Sequence, residues 1–142
     1  MKKFIPFRTK YKKYQKRKIK GVLNSSSNNN GLHYGNIGFQ VLENGLITPQ
    51  QLETCRRNLS KRFVSSTKIW FRFYPNCKTF SRAKGVRMGK GKGDFKNFII
   101  KIKKGSLLFE ISSLNVTKII ERLRIVAFKI PVRGRFITKL CY

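Results

Sequence analysis

The chain has 142 residues, one domain's worth, and sets 33 Lys and Arg against five Asp and Glu for a formal net charge of +28. A compact body carrying that charge repels itself, so the composition calls for a standing polyanionic partner. Nucleic acid fits better than a membrane surface, because no basic amphipathic helix stands apart and no apolar run approaches the ~18 residues of a membrane span.

Residues 2–20 hold ten Lys and Arg and no acid, interleaved with Phe4, Phe7, Tyr11 and Tyr14. Charge at that density prevents condensation, so the arm is expected to be disordered in the free protein and to order on phosphates. A solvated tail is the plainer alternative, which the interleaved aromatics argue against. The N-terminus has no h-region and makes a poor transit peptide, so the protein is expected to work in the compartment that makes it. "NSSSNNNG" (24–31) is a polar linker or expanded loop.

"NIGFQVLENGLIT" alternates Ile37, Phe39 and Val41 on one face and predicts a strand pair turning at Asn44-Gly45. A helix follows with a marked start: Thr48 as N-cap, Pro49 at the first helical position and Gln51 closing a capping box. Leu52, Cys55, Leu59 and Phe63 fall on its buried stripe, with Arg56, Arg57, Lys61 and Arg62 on the rest. That basic flank is either solvated or on phosphate; the total charge favours phosphate.

"KIWFRFYP" (68–75) reads as a strand with Ile69, Phe71 and Phe73 facing the core and Trp70, Arg72 and Tyr74 facing away, ended by Pro75. The outer face is either a nucleotide-stacking surface or, for Trp70, packing against the neighbouring helix. Residues 76–94 then read as a loop of about nineteen residues, a length that is usually functional or disordered. Its "GVRMGKGKGDF" is no phosphate cradle. The G-x-x-x-x-G-K-[ST] spacing is missing, and Asp94 takes the third Gly position of G-x-G-x-x-G. Gly89, Gly91 and Gly93 instead let the backbone approach another backbone closely, while the lysines between them neutralise phosphates. The segment reads as a finger reaching into folded nucleic acid.

Strands at 95–103 and 106–112 are joined by Lys104-Gly105. Asn115 is placed to cap a second helix burying Val116, Ile119, Ile120, Leu123, Val126 and Ala127, stopped by Pro131, before a closing strand "RGRFITKLCY". The order β-β-α-β-loop-β-β-α-β predicts an α+β domain, with two helices over a largely antiparallel sheet or partial barrel. Residues 1–31 form the extension and linker, and 32–142 a single globular domain. Cys55, Cys77 and Cys141 lie far apart with only His33 to join them, which argues for reduced thiols and against zinc; no cofactor is expected.

Together these segments resemble the family of the sixteenth protein of the bacterial and organellar large ribosomal subunit. "PFRTKYKKYQKR" is similar to that family's basic arm, and "GLITPQQLETCRRNL" to its capped first helix. "KIWFRFYP", "VRMGKGKG" and "KIPVRGRFITK" resemble its central strand, finger and C-terminal strand. The chain departs from the pattern in its Ser/Asn insertion near 24–30 and in the ascending finger half "NCKTFSRAKG". The resemblance implies a hammerhead-like fold bound to large-subunit ribosomal RNA. Arg8, Lys10, Lys12, Lys13, Lys16, Arg17 and Lys18 would run along RNA helices, joined by Arg56, Arg57, Lys61 and Arg72. Arg82, Lys84, Arg87, Met88, Gly89, Lys90, Gly91, Lys92 and Gly93 would approach the A-site and P-site tRNAs and the peptidyl-transferase centre. Further partners would be neighbouring large-subunit proteins, with no membrane insertion and no small-molecule substrate. The protein would position RNA without catalysing, and one His with five scattered acids offers an enzyme little. A non-ribosomal RNA-binding regulator or assembly factor is the rival class. Richness in Lys, Asn, Ile and Phe points to an A/T-rich genome and hence to an organelle-encoded mitochondrial ribosome; a plastid or a bacterial cytoplasm is the alternative.

Overall fold

The computed structural model describes residues 4–6, 8–11, 13–15, 19, 21, 31–63, 67–89, 91–113 and 116–139. Among these residues seven strands and two helices follow in the order β1 (Ile37–Val41), β2 (Gly45–Ile47), α1 (Pro49–Arg62), β3 (Lys68–Phe71), β4 (Cys77–Ser81), β5 (Asp94–Ile102), β6 (Leu107–Ser112), α2 (Val116–Ala127) and β7 (Gly134–Thr138). They form a mixed α+β fold with two antiparallel sheets, ordered β3-β6-β1-β7 and β2-β5-β4, and no closed barrel.

Alternation along β1 places Phe39 on its core face, and register repeats that choice across the sheet. Phe71, Phe109, Phe39 and Phe136 stand opposite one another on four successive strands. Their neighbouring ring centroids lie 5.9, 5.5 and 5.2 Å apart, the range of favourable aromatic pairs. Ile100 and Ile102 of β5 join this core, as do Leu52, Cys55 and Leu59 of α1 and Ile119, Leu123 and Val126 of α2. The predicted stripes of both helices are thus the buried ones where their side chains are described; the Val116 side chain and Asn115, the expected cap of α2, lie outside the described set. Winding past Ala127 continues with bonds from Lys129 N–H to Val126 O and Ile130 N–H to Ala127 O, both 3.0 Å, before Pro131 ends it.

The start of α1 forms as its sequence requires. Thr48 Oγ1 accepts from Gln51 N–H at 3.3 Å, and Gln51 Oε1 accepts from Thr48 N–H at 2.9 Å. Two orphan donors are satisfied at once, and losing such a cap costs a helix about 0.5–2 kcal/mol.

Three expectations are corrected. β1 and β2 do not pair across Asn44-Gly45: both edges of β1 are already taken by β6 and β7, so β2 crosses to β5 in the other sheet. Asn44 serves that crossover by accepting from Lys104 N–H at 2.7 Å. β5 and β6, joined through Lys104-Gly105 (φ +93° at Gly105) as expected, lie in different sheets, because β6 is flanked by β3 and β1. Finally, residues 76–94 are not all loop. The ascending half is β4, which pairs with β5 from Cys77↔Ile99 to Ser81↔Asp94, leaving 82–93 as the irregular tip. β3 is correspondingly short, ending at Phe71, though Arg72 N–H still donates to Leu108 O at 3.1 Å.

Candidate nucleic-acid interface

Sequence alternation leaves one row of the four-stranded sheet, Trp70, Glu110 and Gly38, on the face away from the phenylalanines. Residues 31–36 cover that row. Glu110 is fully buried beneath them, accepting from the N–H groups of His33, Tyr34 and Gly35 at 2.9, 2.8 and 3.1 Å. Arg72, only 13% exposed, completes the set as its ion-pair partner. Burial alone would raise the Glu110 carboxyl, but the bonds from Tyr34, Arg72, Gly35 and His33 outweigh it and hold it below the usual carboxylate range. Arg72 also donates to Gly31 O at 3.3 Å and lies 5.8 Å from the Tyr34 ring centre. Its guanidinium is therefore committed inside the protein rather than presented to a phosphate. Trp70 stacks on Tyr34 at 6.0 Å and 25°.

On α1, Glu53 gathers both arginines at the i+3 and i+4 positions. Arg56 binds it through Nε and Nη2 at 2.9 and 2.8 Å, and Arg57 through Nε at 3.1 Å. The Arg56 bond is the main cause that draws the Glu53 carboxyl down to about 2, with burial opposing and Arg57 assisting. Arg57 keeps 67% of its side chain exposed and Arg56 28%, so among the described side chains Arg57 and the exposed Lys61 are the cations this helix turns outward; the Arg62 side chain lies outside the described ones.

The finger is a β-hairpin with its tip in solvent. Arg82, Lys84, Arg87, Met88, Gly89, Gly91 and Lys92 are exposed, Met88 at 95%. Arg82 folds back on the tip, reaching Met88 Sδ at 3.3 Å and the carbonyl of Gly89. Gly89 and Gly91 adopt φ of +122° and +72°, a region that favours glycine, with open space around them. Gly93 answers to a different demand: a Cβ there would fall 2.4 Å from Ser81 O of the paired strand. Lys90 lies outside the described residues.

Of the arm, Arg8, Lys10 and Lys13 are exposed, while Lys12, Lys16, Arg17 and Lys18 lie outside the described residues. The described part is seated first on β3 and then on the finger's own hairpin. Phe4 packs edge-on against Phe71 at 5.6 Å. Further along, Lys78 Nζ donates to Tyr11 O at 2.7 Å, Lys92 Nζ donates to Tyr14 O, and Lys101 Nζ stands 5.5 Å from the Tyr14 ring centre. Between arm and hairpin opens a cleft of about 770 Å³, lined among others by Tyr14, Lys78, Phe80, Arg82, Lys92 and Lys101. Arm and finger, far apart in sequence, share one basic face. Lys101 was the least visible member, a single cation inside the apolar run "FIIKI" of β5.

Cys55 and Cys77 are free and buried, and burial pushes the Cys55 thiol up to about 12, which makes it inert. Among the described residues no His, Cys, Asp and Glu gather into a metal-binding group, and no helix is long and apolar enough to cross a membrane.

The family model described as "Ribosomal protein L16p/L10e" matches residues 6–137, spanning arm, both sheets and finger. The chain belongs to the L16p/L10e family of ribosomal proteins. Its relatives within the family include large ribosomal subunit protein uL16 of Kosmotoga olearia, 35% identical over 135 residues that cover 95% of this chain and 94% of the relative. The uL16 of Protochlamydia amoebophila is 35% identical over 136 residues, 96% of each chain. The protein uL16c of Phaeodactylum tricornutum is 34% identical over 134 residues, 94% of this chain and 95% of the relative. Membership of the L16p/L10e family makes the protein a structural constituent of the large ribosomal subunit with a part in translation, and not an enzyme.

Proposed function

We propose that the protein binds large-subunit ribosomal RNA through its arm, its finger and the outward cations of α1, and helps position tRNA near the A site and the peptidyl-transferase centre. The observation that carries this reading is the convergence of arm and finger on one basic face, with Lys78 and Lys92 of the hairpin bonded to the carbonyls of Tyr11 and Tyr14. A polyanion lying along that face meets Arg8, Lys10, Lys13, Arg82, Lys84, Arg87 and Lys92 together, and phosphate contacts of this kind fix register without reading sequence. Lys12, Lys16, Arg17, Lys18 and Lys90 belong to the same set by sequence. Arg72 is left out of it because of its bond to Glu110.

In this reading residues 1–31 are the extension and 32–142 the globular body, with the finger tip at 82–93. The richness in Lys, Asn, Ile and Phe supports a mitochondrial ribosome as the setting. The deciding experiment deletes the finger from Lys84 to Lys92 and assays the ribosomes that carry the shortened protein. They are expected to assemble or to bind A-site and P-site tRNA poorly. Normal assembly and normal tRNA binding would remove the finger from tRNA positioning. Sedimentation of large subunits from purified mitochondria in high salt tests the setting, and absence of the protein from them would overturn it.

A further inference from the structure

We propose that Tyr34, backed by Trp70, is a preformed stacking platform for an unpaired RNA base, a second RNA contact on the covered face of the four-stranded sheet. This rests on the reading that RNA is the partner, and adds to it a site that neither arm nor finger supplies.

The physical case begins with exposure. Tyr34 leaves 61% of its surface in water although one of its ring contacts is the stacked indole of Trp70, 6.0 Å away. A large aromatic side chain so exposed is ordinarily mobile, and ordering it on binding then costs affinity. Here the ordering is done in advance. The N–H groups of His33, Tyr34 and Gly35 all end on one carboxylate oxygen of Glu110, which is fully buried and ion-paired to Arg72. Arg72 in turn stands 5.8 Å from the Tyr34 ring centre, within cation–π range. The backbone beneath the ring and two of the ring's neighbours are thus fixed by a single buried group.

Charge selects the occupant. Glu110 is the one acid at this place, and it is buried and neutralised by Arg72, so the platform shows no negative charge to repel a phosphate. Lys68 stands exposed two residues before Trp70, on the same face of edge strand β3. Lys139, whose N–H donates to Asn36 O at 2.8 Å, is exposed beside the same segment. A rigid exposed ring with cations around it is the arrangement by which proteins hold single-stranded nucleic acid: the base stacks and the lysines meet its flanking phosphates.

Trp70, the chain's single tryptophan, makes the site observable in the full-length protein. Its emission is followed while an adenosine 12-mer of RNA is titrated in at fixed salt, with inorganic polyphosphate as a base-free polyanion and total RNA binding measured separately by anisotropy. The 12-mer is expected to change Trp70 emission saturably and polyphosphate not to. Tyr34→Leu is expected to move the midpoint of that change about tenfold to higher RNA concentration, the order that one stacked base contributes. Tyr34→Phe, which keeps the ring and the fold, is expected to restore it. RNA binding seen by anisotropy with no Trp70 response, or with the same midpoint in Tyr34→Leu, would overturn the platform while leaving the RNA reading intact. No RNA binding at all would overturn the RNA reading itself.

Discussion

Arg72 and Glu110 form an ion pair inside the fold, with the carboxylate sealed from water and the guanidinium 13% exposed. Unlike a simple buried pair, the carboxylate also satisfies three backbone N–H groups from residues 33–35. Replacing both charges with apolar groups would therefore leave donors stranded, a cost that simple buried pairs do not carry. Arg72→Ala, which abandons a buried charge, is expected to destabilise the protein by about 3–5 kcal/mol in denaturant unfolding. Glu110→Gln keeps one acceptor oxygen and should cost less than Glu110→Leu. If Leu proves as stable as Gln, the three N–H bonds contribute nothing net.

Acid sensitivity follows from the same carboxylates. Glu53 is drawn from the usual 4.5 to about 2, chiefly by its hydrogen bond with Arg56. Because the folded state holds the proton less tightly than the unfolded state, the stabilisation is present above pH 4.5 and is lost as pH falls toward 2. The lowered Glu110 adds to the loss in the same direction. Stability measured by urea unfolding from pH 6 to pH 2 should fall across this window. Glu53→Gln is expected to flatten part of the fall, and an unaltered slope in that variant would show that α1 draws no stability from the pair.

The finger glycines separate by what a side chain would meet. Gly91 has φ +72° and open space, so Gly91→Ala strains one residue of an exposed tip by about 1–2 kcal/mol and leaves the domain folded. At Gly93 an added Cβ falls 2.4 Å from Ser81 O, where backbone must move and the base of the hairpin opens. Gly93→Ala should therefore lower the melting temperature more than Gly91→Ala, and exchange of the amides of β4 and β5 should rise only for Gly93→Ala. Equal effects at both positions would mean that the hairpin base absorbs the side chain.

Local signals in the sequence were legible wherever one residue's chemistry decides the outcome. The Thr48, Pro49 and Gln51 start of α1 is such a case, as are the stripe Leu52, Cys55, Leu59 and the alternation of Ile37, Phe39 and Val41. Partner choice between strands was not legible, because Asn44-Gly45 says where the chain bends and not that both edges of β1 are taken by β6 and β7. The short strand Cys77–Ser81 was hidden for a related reason: Lys78 within it and Arg82 just beyond it suggest loop, while pairing with β5 fixes it as strand. For the site, charge pointed to the arm and finger but treated every cation alike. Arg72 and Arg56 turned out to serve Glu110 and Glu53, two of five acids in the chain. In so basic a sequence a lone acid was the better signal: Glu110 sits within the apolar run "LLFEI", and Glu53 stands three and four residues before two arginines.

The seat of the arm yields the last prediction. Ten positive charges within residues 2–20 drive the arm away from the body, while Phe4 against Phe71 of β3 and the donations of Lys78 and Lys92 of the hairpin to Tyr11 O and Tyr14 O hold it in place. Both lysines are charged donors to neutral carbonyls at the surface, where solvent screening leaves each bond a modest contribution. The balance is therefore close, and removing two holds should tip it. In the free protein, Lys78→Met with Lys92→Met is expected to raise the rate of trypsin cleavage after Arg8, Lys10 and Lys13 several-fold. The melting temperature should barely move, since neither lysine is among the buried core residues. On assembled large subunits the same sites should be protected in both proteins, with RNA phosphates supplying the counter-charge that the free arm lacks. Equal cleavage of the free variant and the free wild type would show that the two lysines do not hold the arm. Cleavage on the subunit as fast as in solution would remove the arm from the RNA-binding face.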